Sequence, residues 1–221
     1  HPMLNIAVRA ARAAGKILTK NFGVEADFKV QAKSQNDFVS DIDKAAEQAI
    51  INTILKTFPD HSILAEEGGS IEGKTPEHQW IIDPLDGTTN YLRGISHFAI
   101  SIAYLHKGVT QAAVVYDPLR EELFSATKGA GAQLNGKRIR VGAKRDLNGT
   151  LLATGFPFKR KDLTKEYQAI FGALFEHTAD MRRCGSAALD LAYVAAGRMD
   201  AFWEFGLEKW DIAAGSLLIR E

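Results

Sequence analysis

One cysteine, Cys184, stands in 221 residues, so no intrachain disulfide can form and a reducing compartment suits the chain. Charge of either sign is not in excess: 27 Lys and Arg balance 27 Asp and Glu. A general binder of nucleic acid or of an anionic membrane surface would carry a basic surplus, and none is present. No uncharged apolar run is long enough to span a bilayer, and Arg9, Arg12 and Lys16 interrupt the first apolar stretch. The expectation is a soluble cytoplasmic protein with no membrane partner. Repeats and low-complexity tracts are also missing, and no linker divides the chain. The weak boundary near Asn148 and Gly149 gives two expected lobes, 1–148 and 149–221.

What is present reads as a mixture of helices and short strands. Leu4, Ala7, Val8, Ala11, Ala14 and Leu18 recur at helical spacing, with Gly23 as a stop. A second helix is expected from about Asp43 to Pro59. Strands follow at 62–65, 80–82, 97–105, 112–116 and 123–126, with hairpin turns at Gly108 and Asn135-Gly136. Beyond a strand at 151–154 the elements alternate: helix 165–175, a strand near Met181, helix 186–196, strand 201–205 and a last helix from Asp211.

The most informative stretch is Trp80-Ile-Ile-Asp-Pro-Leu-Asp-Gly-Thr-Thr-Asn-Tyr91. An apolar strand delivers Asp83 and Asp86 onto a turn, where two close carboxylates repel unless a cation lies between them. Clustered oxygen ligands suit a hard divalent ion such as Mg²⁺. Gly87 permits close approach of backbone to a ligand, and the following N–H groups can face a phosphate if a helix starts there. The plain alternative is a strand end with an Asx turn. Further acids close other elements: Glu66 and Glu67 before Gly68-Gly69, Asp43 behind Asp41, and Asp211 after Trp210. Asp43 and Asp211 could equally be helix N-caps, and Glu66-Glu67 a solvated loop.

The two segments Trp80–Asn90 and Trp210-Asp-Ile-Ala-Ala-Gly215, in this order, resemble both signatures of the inositol monophosphatase family, the lithium-sensitive, Mg²⁺-dependent sugar phosphatases. Asn135-Gly-Lys, Thr154-Gly-Phe-Pro-Phe and Gly185–Gly197 resemble its bacterial SuhB-like branch. The resemblance covers the whole length and implies an α+β fold, a layered α-β-α-β-α sandwich. It also implies that a C-terminal part is missing, since family members continue for a few dozen residues. One Mg²⁺ is implied at Glu66, Asp83 and the Leu85 carbonyl, a second among Asp83, Asp86 and Asp211, and a third, more hydrated, at Glu66. Thr88, assisted by Asp43, is implied to orient the attacking water; Gly87 and Thr88 N–H groups to cradle phosphate; Ser186, Ala187 and Glu204 to contact substrate; and Lys33 to lie in a loop near the metals. The implied reaction is hydrolysis of inositol monophosphate by metal-activated water, without a phosphoenzyme.

The same resemblance implies a homodimer, and the bacterial branch adds a role of another class: transcription antitermination through contact with transcription factors and RNA polymerase. Arg182, Arg183 and the basic cluster at 137–145 are candidate surfaces for that role, a solvated or dimer-facing surface being the default reading of each. Phe156-Pro157-Phe158 stands where animal members carry small polar residues, which keeps other phosphate monoesters in view as substrates. Gly68–Thr75 satisfies the P-loop spacing G-x-x-x-x-G-K-[ST], but Pro76 and the strand at Trp80 leave no room for its helix. Gly129-Ala-Gly131 lacks the third glycine of a dinucleotide fingerprint. The histidines show no metal-ligand spacing and are expected to be packing or surface residues, and Cys184 an inert thiol.

Overall fold

The computed structural model describes residues 1–23, 30–34 and 37–221, with side chains at 1–23 and 41–221. Helix α1 (Pro2–Asn21) opens with Pro2 in the first turn, where a missing N–H has no helical partner to lose. Its buried face is mostly alanine, which lets it lie close to its neighbours. The hairpin β1 (Val30–Ser34) and β2 (Asp37–Ser40) leads to α2 (Asp41–Thr57). Then come β3 (His61–Ala65), β4 (Gly69–Ile71), β5 (Thr75–Asp86), the short α3 (Thr88–Leu92), β6 (Ala99–His106), β7 (Val109–Asp117), β8 (Glu122–Thr127), β9 (Gly131–Leu134) and β10 (Lys137–Arg138). The rest is β11 (Leu151–Thr154), α4 (Thr164–Phe175), β12 (Asp180–Arg182), α5 (Ala187–Ala195), β13 (Ala201–Trp203) and α6 (Lys209–Arg220).

Strands β3 to β10 form one sheet of order β10-β9-β8-β7-β6-β5-β3-β4, antiparallel except for the β3–β5 pair. Both faces are apolar, and the period of two assigns each side chain to one of them. Trp80, Ile82, Ile100, Ile102, Tyr104, Val114 and Tyr116 join the core under α1 and α2. Ile81, Ala99, Ala103, Leu105, Ala113 and Val115 face α5 and α6 instead. A parallel sheet, β12-β11-β13, lies beyond those helices. Ala153 packs toward Val194 of α5, while its neighbour Thr154 bonds Tyr167 of α4, whose ring stacks on Trp203. Helix, sheet, helix, sheet, helix is therefore the order of layers.

The expected helices and most expected strands are present, with shifted ends. Strand β5 starts five residues before Trp80 and continues through Asp86, with a break in register between Asp83 and Asp86. Asp83 and Asp86 thus leave the sheet from an irregular strand end and not from a turn beyond it. The hairpin turns are as expected: Lys107 and Gly108, then Asn135 and Gly136, all have positive φ. The P-loop spacing is accidental, since β4 occupies Gly69–Ile71 and Thr75 begins a strand.

Candidate active site

Three element ends meet at one cleft: the end of β5 with the start of α3, the N-terminus of α5, and the first turn of α6. Glu66, Asp83, Leu85, Asp86, Gly87, Thr88, Ala187, Glu204 and Asp211 all line it. Carboxylate oxygens of Asp83, Asp86 and Asp211 lie within 4.8 Å of one another. Asp83 and Asp211 stand at opposite ends of the signature pair in sequence, and only the layered packing of α6 behind β5 and β6 brings them together.

Each acid is held by a specific contact. Asp83 Oδ1 accepts the Leu85 N–H at 3.0 Å, an Asx turn that rotates the chain at the register break. Asp86 Oδ2 accepts from the Ser186 hydroxyl at 2.7 Å and the Ala188 N–H at 2.6 Å, so α5 fixes it through its own first turn. Asp211 is the third residue of α6 and accepts the Glu208 N–H at 2.6 Å, one half of a capping box. Asp211 is therefore not the N-cap, a place taken by Glu208, but its reciprocal partner at the third helical position, and the same carboxylate also faces the cleft. Glu47 of α2 is buried and accepts the Glu67 N–H at 2.8 Å, which fixes the segment bearing Glu66.

Crowding and burial set the electrostatics. Burial first, then the charges of Glu66, Asp86 and Asp211, push the Asp83 carboxyl well above the usual range. Burial takes Asp86 to about 7 against the opposing bonds from Ser186 and Ala188. Burial and the Asp86 charge take Asp211 to about 7, and burial with the Asp211 charge takes Glu204 to about 7. Such a group of acids is most easily kept ionised together by a cation. The donors are all oxygen, which fits a hard ion.

Asp43 is not a cap. It lies inside α2, which begins two residues earlier, and is 1% exposed. Thr88 Oγ1 lies 3.1 Å from Asp43 Oδ1 and 3.1 Å from the Leu85 carbonyl oxygen, so its single hydrogen can serve either. Gly87 has φ 99°, and a Cβ there would stand 3.1 Å from the His97 carbonyl oxygen and 3.2 Å from that of Gly185. Only glycine fits this position without strain. The first N–H groups of α3 have no partner within the helix, which leaves them for an anion.

Two expected contacts differ in detail. The Ser186 hydroxyl is engaged with Asp86 and caps α5 at Leu189, so it works behind the cleft and not on its surface. Lys33 belongs to β1, and its side chain lies outside the described residues. Glu204 follows β13 directly, and Gly155 leaves room for it: a Cβ at 155 would meet its carboxylate at 1.9 Å. Sequence reasoning missed Glu47, Asp190, Lys159 and Arg160. For Glu47 and Asp190 a signal existed, namely a charged residue inside the apolar face of a helix. Lys159 and Arg160 gave none beyond a basic run, yet both line the cleft. The Arg183 guanidinium sits 5.1 Å above the Phe156 ring at its edge.

Comparison with known proteins agrees over the full chain. The model of the inositol monophosphatase family matches residues 1–221. Nus factor SuhB of Escherichia coli strain K12 is 59% identical over 221 residues, which is 100% of this chain and 83% of that protein. The crystal structure of extragenic suppressor protein suhB from Bartonella henselae superposes with a TM-score of 0.97 at 43% identity, covering 100% of this chain and 85% of that one. Inositol monophosphatase from Anabaena (Nostoc) sp. PCC 7120 gives a TM-score of 0.88 at 41% identity, over 100% and 81%.

Proposed function

The chain belongs to the inositol monophosphatase family, and from that premise we propose that it hydrolyses phosphate monoesters, with inositol monophosphate as substrate, in a Mg²⁺-dependent reaction. The observation that carries this reading is the convergence of Asp83, Asp86 and Asp211 within 4.8 Å beside Thr88. The all-oxygen donor set and the mutual repulsion of the acids fit Mg²⁺. Glu66, Asp83 and the Leu85 carbonyl would hold one ion, Asp83, Asp86 and Asp211 a second, and Glu66 a third. Bound there, Mg²⁺ would neutralise phosphoryl oxygens, activate water and stabilise the leaving alkoxide.

The remaining work falls to the protein. Asp43 orients the Thr88 hydroxyl, which then positions the attacking water in line with the phosphorus. The N–H groups of Gly87 and Thr88 hold the phosphoryl oxygens where charge builds up. Glu204 and Ala187 set the leaving-group side of the cleft, with Glu204 receiving hydroxyl groups of the sugar and Ser186 holding Asp86 from behind. Lys159, Arg160 and Arg183 add positive charge at its mouth. Phosphate release from a panel of monoesters, with Mg²⁺ and then with excess chelator, tests the reading. The expected result is turnover of inositol monophosphate that stops on chelation, returns with Mg²⁺ and is inhibited by lithium; unchanged turnover in chelator refutes it.

A second reading rests on the 59% identity to a protein named as a Nus factor. In it this chain contacts transcription factors and RNA polymerase as an antitermination factor in the cytoplasm, as a homodimer or a single subunit. Arg182 and the exposed edge strand β10 offer basic surface for such contacts. Complementation of a deletion strain by a catalytically dead variant separates the two roles.

A further inference from the structure

At the α5 wall of the acidic cleft, which Asp190 helps to line, a second set of ligand-bearing side chains converges. A ring nitrogen of His97, the Cys184 sulfur and a carboxylate oxygen of Asp190 lie within 4.8 Å of one another. They come from three places: the approach to β6, the loop before α5, and the middle of α5 itself. Positions 97, 184 and 190 carry no spacing that marks a metal site, and nothing in the chain alone gives the histidine or the cysteine a role.

Two features separate this cluster from an ordinary buried polar contact. His97 Nε2 and Asp190 Oδ1 are both buried and have no hydrogen-bond partner among the described residues. Asp190 as a residue is 1% exposed; its carboxylate is hydrogen-bonded to the Cys184 thiol and faces the Arg183 charge, while its Oδ1 has no partner. A buried carboxylate oxygen and a buried ring nitrogen side by side, without a bond between them, cost free energy that a shared cation would recover. The cluster is also held in advance. Asn90 Nδ2 reaches the His97 carbonyl oxygen at 2.7 Å and the Cys184 carbonyl oxygen at 2.9 Å, so one amide fixes the backbones of two of the three residues. Tyr193 of α5 meets the His97 ring edge-on at 5.9 Å and sets its plane.

We propose that His97, Cys184 and Asp190 form a second cation site at the α5 wall of the cleft, selective for a borderline-soft divalent ion such as Zn²⁺ and separate in its ligands from Asp83, Asp86 and Asp211. The donor set decides the ion. Thiolate, imidazole and one carboxylate match Zn²⁺ and suit Mg²⁺ poorly, since Mg²⁺ prefers oxygen alone and a nearly ideal octahedron. Tetrahedral Zn²⁺ with bonds of about 2.0–2.3 Å places its ligands roughly 3.3–3.8 Å apart, so the three atoms need only draw in by about an ångström. Three protein ligands leave a fourth position for water. The site adjoins the hydrolytic one directly: Asp190 lines the cleft, Ser186 and Ala188, which fix Asp86, lie between Cys184 and Asp190 in sequence, and the His97 and Gly185 carbonyls would crowd any Cβ at Gly87.

The proposal does not depend on the hydrolytic reading, and its test measures binding alone. Full-length protein is titrated with Zn²⁺ against a chromophoric chelator in a large excess of Mg²⁺, then with Co²⁺ as a spectroscopic probe. The expected result is one Zn²⁺ per chain that resists Mg²⁺, with a thiolate-to-cobalt charge-transfer band in the near ultraviolet. In Cys184→Ser, a nearly isosteric change, the band disappears and Zn²⁺ affinity falls at least about tenfold, the lower end of what loss even of an outer-shell partner costs. His97→Gln weakens Zn²⁺ similarly while the band from Cys184 persists with Co²⁺. Melting curves confirm that both variants remain folded. Zn²⁺ binding equal in wild type and Cys184→Ser, a cobalt complex without the thiolate band, or full displacement by Mg²⁺ overturns the assignment.

Discussion

At the scale of single residues, Asp83 concentrates the conflict that a cation resolves. It is 1% exposed and faces Glu66, Asp86 and Asp211, all of which raise its pKa once burial has done so. Asp83→Asn keeps the shape and removes one charge. The expected outcome is a folded protein whose metal-free melting temperature at alkaline pH is unchanged or higher, because one repulsive partner is gone. The Mg²⁺-induced rise in melting temperature should shrink, and kcat should fall by at least about 10³, as for loss of a principal electrostatic stabiliser. Paired melting scans and single-turnover phosphate release read both. Near-wild-type turnover would rule out Asp83 as a shared ligand of two ions.

At the scale of elements, the site depends on how closely α6 lies against α5. Gly215 of α6 stands where a Cβ would meet Leu191 Cβ at 2.5 Å and its Cδ1 at 2.6 Å. Because Leu191 Cβ is tied to the backbone of α5, Gly215→Ala must move one helix and carry Asp211 with it. A loss of about 1–3 kcal/mol from overpacking is expected, with lower activity at saturating Mg²⁺. Gly172, in the exposed part of α4, is different: a Cβ there would have nothing within 4 Å. Gly172→Ala should therefore stabilise by about 0.5–1 kcal/mol through the unfolded chain and helix propensity. Urea denaturation of both variants checks the pair, and equal effects would mean that helix propensity and not the α5–α6 distance governs position 215.

For the whole molecule, the raised acids make stability depend on pH and on metal together. Asp86, Asp211 and Glu204 reach about 7 in the folded state, above the usual carboxylate range of the unfolded chain. A carboxylate raised on folding lets the native state hold the extra proton, so ∂ΔG/∂pH of unfolding is negative between the two pKa values. As far as these groups are concerned, the metal-free protein should thus be most stable at or below about pH 4, the unfolded carboxylate range, and lose that share as pH rises from there to about 7. Mg²⁺ should reverse the trend, giving its largest gain in melting temperature at about pH 8 and little at about pH 5. A gain independent of pH would mean that the ion binds away from these acids. Among the described residues no helix is long and apolar enough to cross a membrane.

The helices with strong periodicity, the glycine turns at Gly108 and Gly136, and the acids at the end of β5 and in α6 were all legible in the chain. These are local matters: spacing, backbone conformation and signature segments are encoded within a few neighbouring residues. Gly87 was legible too as a place where backbone must come close to something, though not what. Which acid faces which was settled only by packing. Asp43 reads as a helix cap in isolation and becomes the partner of Thr88 only because the fold brings the first turn of α2 to the start of α3. Ser186 reads as a contact to substrate and turns out to hold Asp86 from behind. His97 and Cys184 carry no pattern in the chain, and Glu47 and Asp190 show only as charges inside apolar helix faces. Their meaning comes from burial beside partners distant in sequence, and burial at that distance is fixed by how the layers pack and by nothing within reach of the local sequence.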